Sequence, residues 1–114
     1  MPYINTITTK KITEETKKGL TRLLGEAIEI FPGKSERWLM LRFEGEAQMA
    51  FRGDFESDTA MIEVALLGKA DAEALGKFTA RVCEIVTEML GVPSDRIYVK
   101  YFETDKWGYD GDNF

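Results

Sequence analysis

The chain has 114 residues, enough for one ordinary domain, with 44% apolar and 31% charged residues and a net charge of −5. Its Lys and Arg residues are scattered, so no basic stripe exists to displace counterions from nucleic acid, and no apolar run is long enough to span a bilayer as a helix. With no histidine and a single cysteine, Cys83, the chain excludes Ser-His-Asp and Cys-His catalysis, His-ligated metals and an internal disulfide.

The chain starts Met1-Pro2-Tyr3-Ile4. A small second residue lets the initiator methionine be trimmed, which would leave Pro2 with a free secondary amine. An α-amino group titrates near ~8. Burial in an apolar pocket disfavours its charged form, and a neutral amine at physiological pH suits a general base. The plain alternative is a tolerated residue at a frayed end.

Residues 2–9 alternate and are rich in Ile, Thr and Tyr, which predicts a strand; Pro2 fits its first position, where no ladder donor is needed. Strand-like residues follow Met1 at once, so no signal peptide is expected and the protein is expected in the cytoplasm. Thr13 before Glu14 and Glu15 predicts a helix start. Leu20, Leu23, Leu24, Ala27, Ile28 and Phe31 continue at helical spacing until Pro32-Gly33. Trp38 to Phe43 reads as a strand, 44–58 as an irregular connection, and 59–67 as a mostly buried strand ended by Gly68. A second helix is expected over about 71–90, with Leu75, Phe78, Val82, Ile85, Val86 and Met89 on one face, stopped by Gly91-Val92-Pro93. Arg96 to Glu103 reads as a last strand, and Trp107 to Phe114 shows no clear period. Cys83 falls in the second helix's apolar pattern and reads as an inert core thiol.

Strand-helix-strand thus occurs twice. Ser35 to Glu44 also aligns with Ser94 to Glu103, with Ser, an acid, Arg, Phe and Glu coinciding. The expected fold is α+β: two pseudo-symmetric β-α-β units, residues 2–58 and 59–105, with a tail of 106–114. Each unit pairs its strands in parallel through a right-handed crossover. The result is a four-stranded sheet with two helices on one face. The second, third and fourth strands are apolar or aromatic at most positions, so self-association is expected to cover the free sheet face or its edges.

Chemistry-bearing patterns are few. Gly33-Lys34-Ser35 is no phosphate loop, since Ile28 stands where the motif needs glycine. Lys34, between a helix end and a strand start, could hold an anionic substrate group or be solvated surface. Tyr98, Lys100 and Phe102 share one strand face; Tyr98 and Lys100 read either as an acid with an anion holder or as an ordinary polar face. The acids Asp54, Glu56 and Asp58, and Asp110 with Asp112, lack calcium-loop spacing and read as solvated. No pattern calls for a metal or cofactor.

Pro2, Lys34, the run Met49-Ala50-Phe51-Arg52-Gly53, the turn Leu67-Gly68-Lys69, Asp95-Arg96-Ile97-Tyr98 and the tail Gly108 to Phe114 together resemble the macrophage migration inhibitory factor branch of the tautomerase superfamily, over nearly the whole chain and in order. The resemblance implies a homotrimer whose three sheets form a central barrel wrapped by six helices, with active sites between subunits. It implies Pro2 as catalytic base, Lys34 as carboxylate binder, Leu67 as a backbone hydrogen-bonding position, Tyr98 as a residue from the adjacent subunit, and Trp38, Tyr109 and Phe114 as aromatic lining. Lys100 stands where mammalian members carry asparagine, Tyr109 replaces a common tail tryptophan, and the mammalian Cys-x-x-Cys is missing. The implied activity is keto–enol tautomerisation of an aromatic α-keto acid such as phenylpyruvate. An alternative is a released, cytokine-like signalling protein that binds a host receptor, since family members leave cells without a signal peptide.

Overall fold

The computed structural model describes residues 1–114. Strand β1 (Pro2–Thr8) leads to helix α1 (Glu14–Ala27), strand β2 (Met40–Glu44), strand β3 (Ala60–Leu67), helix α2 (Ala72–Leu90) and strand β4 (Ile97–Thr104). A two-stranded tail hairpin, β5 (Gly108–Tyr109) and β6 (Asp112–Asn113), completes the chain. The sheet order is β2-β1-β3-β4. Within each unit the strands pair in parallel, and β1 and β3 join the units antiparallel at the centre.

Local chemistry sets both helices. The Thr13 hydroxyl caps α1 by accepting from the Thr16 N–H at 3.1 Å, with Glu14 and Glu15 in the first turn. Asp71 caps α2 through the Ala74 N–H at 2.8 Å. Gly91, at φ 72°, ends α2 in the left-handed conformation that glycine adopts without Cβ strain. The α1 pattern stops earlier than Pro32-Gly33 suggests: the α-helix ends at Ala27 and tightens into a 3-10 turn over Ile28–Ile30.

Both helices cover one sheet face. Ile4, Ile62, Val64 and Leu66 of the central strands are buried against Leu20, Leu24, Phe78, Val82 and Ile85. The rings of Phe31, just past the 3-10 turn, and Phe78 of α2 meet at 4.8 Å. Tyr101 fastens β4 to α2: its hydroxyl is 2.7 Å from the Thr79 hydroxyl and donates to the Leu75 carbonyl at 3.1 Å.

Four expectations change. Trp38 lies in a 3-10 turn (Glu36–Trp38) rather than in a strand, and β2 begins two residues later. The tail, without period in the sequence, forms the hairpin. The free sheet face is mostly apolar and aromatic, as expected, but it is crossed by a polar row that was not: Arg42, Asn5, Glu63 and Lys100 align across all four strands. Arg42 donates to Asn5 Oδ1 at 3.1 Å and Asn5 Nδ2 to Glu63 at 2.9 Å. Apolar and aromatic side chains flank that row on central and edge strands alike, and the edge ones stand most exposed, Met40 at 67% and Tyr98 at 62%. Finally, Asp54 and Asp58 are not merely solvated. Asp54 lies 3.5 Å from the buried Arg96 guanidinium, and Asp58 accepts from the Thr9 hydroxyl at 3.0 Å.

The pairing also corrects the internal alignment. Ile4 pairs with Leu41 and Ile62 with Val99. Leu41 therefore corresponds to Val99, whereas matching identical letters pairs it with Lys100, one residue out. A one-residue slip in a strand moves a side chain to the other face, and Leu41 and Val99 both pack on the core while Lys100 does not.

Candidate active site at the N-terminus

Pro2 opens β1, is buried, and pairs with Leu66 of β3. A cavity of about 780 Å³ adjoins it, within the size range of small-molecule sites. Tyr3, Trp38, Trp107 and Tyr109 supply its aromatic lining. The 3-10 turn presents Trp38, and the Tyr109 ring meets it edge-on at 5.3 Å. Phe114 stacks on Tyr109 at 6.2 Å, and its N–H donates to the Trp107 carbonyl at 2.9 Å, which closes the tail hairpin. Phe114 supports the wall from behind Tyr109 and is not itself among the lining residues.

Lys34 and Leu67 line a smaller neighbouring cavity of about 320 Å³. The turn at Gly33, φ 81°, carries the chain from α1 to Lys34. Lys34 Nζ donates to the Leu67 carbonyl at 3.1 Å, and the Leu67 N–H donates to the Met1 carbonyl at 3.0 Å. Met1 also lines the larger cavity, so it links the two. The Met1 amine has a pKa below the ordinary amine value, chiefly through partial burial and secondly through the Lys34 ammonium beside it. The ground at this end of β1 therefore disfavours positive charge.

The chain thus brings Pro2, Trp38 and Tyr109 to one cavity, with Lys34 and Leu67 next door. Tyr98 and Lys100 lie elsewhere, on the face turned away from the helices. Tyr98 meets the Phe51 ring at 5.0 Å, and the Lys100 ammonium lies 5.0 Å from the Phe102 ring. Neither reaches its own chain's Pro2 cavity. Sequence reasoning missed Arg37 and Trp107, both lining residues. Trp107 is the one aromatic at the entry to the Gly-rich tail, and Arg37 directly precedes Trp38; those positions were the available signals.

A doubled β-α-β unit around one sheet, with a buried proline at the head of its first strand and an aromatic cleft beside it, defines a tautomerase-type fold. The comparisons narrow that class. The family model described as macrophage migration inhibitory factor (MIF) matches residues 1–114, and the chain belongs to that family. The Xenopus laevis macrophage migration inhibitory factor is 26% identical over 97 residues, 83% of this chain and 80% of that protein. The crystal structure of Leishmania major MIF2 superimposes with a TM-score of 0.93 at 27% identity, over 100% of this chain and 97% of that one. A homologue from Prochlorococcus marinus gives 0.86 at 28% identity, over 98% of both chains.

Proposed function

We propose that this protein, once Met1 is removed, is a keto–enol tautomerase that uses the Pro2 amine as general base on an aromatic α-keto acid such as phenylpyruvate. The observation that carries this reading is the burial of Pro2 beside an apolar, aromatic cavity with Lys34 close by. Peptide-bonded to Met1, the Pro2 nitrogen is a non-basic amide. Freed, it becomes a secondary amine in surroundings that already depress the Met1 amine.

In the keto-to-enol direction, the Pro2 nitrogen takes a proton from the carbon next to the keto group. The C–H electrons form the carbon–carbon double bond, and the carbonyl π electrons move to oxygen. The proton held by Pro2 passes to that oxygen, directly or through a water molecule, which completes the enol and frees the base. Reversal returns the proton from Pro2 to carbon. Lys34 binds the carboxylate, and the Leu67 N–H, released from Met1, donates to the substrate. The aromatic wall takes the ring and excludes water, which keeps Pro2 uncharged. General-base catalysis of this kind contributes roughly 10²–10⁴-fold.

Tyr98 and Lys100 enter the scheme only from an adjacent subunit. The exposed Met40, Tyr98 and Phe102 on the edge strands β2 and β4 are the apolar surface such a homotrimer would cover. The test is enol–ketone exchange by Met1-free protein, beside a Pro2→Gly variant that keeps a primary amine in place. The variant is expected to lose most of the rate. Exchange at the full rate by Pro2→Gly would remove Pro2 from the mechanism.

A further inference from the structure

The Pro2 cavity holds one charged side chain, Arg37. Arg37 is unlike every other arginine in the chain. Arg22, Arg42, Arg52, Arg81 and Arg96 each form an ion pair with a carboxylate, and Arg37 forms none. Nor does its side chain donate a hydrogen bond within the protein. Its guanidinium lies over the Trp38 ring, 5.1 Å from the centroid, and Trp38 is itself part of the aromatic wall.

The neighbouring acid does not neutralise it. Glu36 turns away from the cavity and packs its carboxylate against Gly25 of α1. Lys34 lies in the adjoining cavity and faces Leu67. Two cations without carboxylate partners therefore stand in different cavities near Pro2. One suffices for the carboxylate of a simple α-keto acid. A guanidinium seated over an indole, with no carboxylate or hydrogen-bond partner, keeps N–H donors free for a planar, two-oxygen anion.

We infer that Arg37 is a specificity residue for a second anionic group, and that the preferred substrate is an α-keto acid with another carboxylate at the end remote from the keto acid. This rests on the tautomerase reading and refines its substrate class. The Lys34 end takes the α-keto carboxylate. The ring or chain lies along Trp38 and Tyr109. The distal carboxylate meets the Arg37 fork, which strengthens binding without taking part in proton transfer.

The experiment compares phenylpyruvate with 4-carboxyphenylpyruvate as enols, in Met1-free wild type, Arg37→Gln and Arg37→Lys. The wild type is expected to favour the carboxylated substrate by about tenfold in kcat/KM, carried by KM, as one charge-assisted contact allows. Arg37→Gln should bring the ratio to about one. Arg37→Lys should keep part of it, since it retains the charge and loses the fork. Raised ionic strength should erode the wild-type preference. An unchanged ratio in Arg37→Gln, or a wild type that disfavours the second carboxylate, overturns the inference. Binding of both acids, followed by quenching of Trp38 and Trp107 fluorescence, reads the same ratio without turnover. A preference in binding with no exchange chemistry would sink the tautomerase reading and leave the Arg37 anion site standing. Turnover with no preference would do the reverse.

Discussion

The Leu67 N–H is bonded to the Met1 carbonyl at 3.0 Å, so Met1 occupies the donor that the proposed mechanism gives to the substrate. Under that proposal Met1 blocks the site twice. It makes the Pro2 nitrogen an amide, and it fills a backbone donor beside Lys34. A chain that retains Met1, or carries an N-terminal tag, is expected to fall at least about 10²-fold in enol–ketone exchange, the lower end of a general base's contribution. Intact-mass measurement of each preparation beside its rate checks this. Equal rates with and without Met1 would refute it.

Lys34 gives a prediction of a different kind. Its ammonium contacts the Leu67 carbonyl and is available to a carboxylate. Lys34→Ala should raise KM for phenylpyruvate by about tenfold, with a smaller change in kcat, because the contact is made in both ground and transition states. Steady-state kinetics separate the two parameters, and a fall confined to kcat would contradict a carboxylate-binding role.

Tyr101 predicts a pH effect on stability. Burial holds its phenol above the ordinary value, partly opposed by the Thr79 hydrogen bond. The unfolded phenol titrates near ~10. Above that pH the unfolded chain loses a proton that the folded chain keeps, so stability is lost as pH rises toward the folded value. Tyr101→Phe should cost about 1 kcal/mol at neutral pH through the lost contacts to Thr79 and Leu75. The gap should narrow above pH ~10. Urea unfolding at both pH values measures it, and a gap that widens in alkali would contradict the assignment.

Arg96 organises the long connection between β2 and β3. It donates to the carbonyls of Asp54, Ser57 and Asp58 at 2.9–3.2 Å, and its own carbonyl accepts from the Thr59 hydroxyl at 2.7 Å. Arg96→Met keeps the apolar stem and removes every donor. The expected cost is about 2–4 kcal/mol, read as a lower denaturation midpoint. Protease cleavage should appear first within 52–58. A variant as stable as wild type would show that water replaces the guanidinium without loss.

Much of this was legible in the letters. Thr13 before two acids marks a helix start, and the spacing of Leu20, Leu24, Phe78 and Val82 marks the buried helix faces. Other features were not. The match of Ser35–Glu44 with Ser94–Glu103 caught a real duplication but slipped one residue, because shared letters carry no record of which face a strand residue occupies. The polar row of Arg42, Asn5, Glu63 and Lys100 joins residues far apart in the chain, and only strand pairing aligns them. Asp54 looked solvated because its partner, Arg96, lies on the far side of β3 and α2 in sequence.

The sequence by itself determined the element order, the doubled unit and the proline at the chain's head, since periodicity, caps and breakers act over a few residues. Only the tertiary structure decided that Met1, Leu67 and Lys34 form one hydrogen-bonded chain, that Arg37 is the unpaired arginine in the cleft, and that Tyr98 and Lys100 lie away from their own Pro2. Those facts depend on the pairing of β1 with β3 and on where loops cross the sheet ends. Long-range contacts set that arrangement, and no local pattern encodes it.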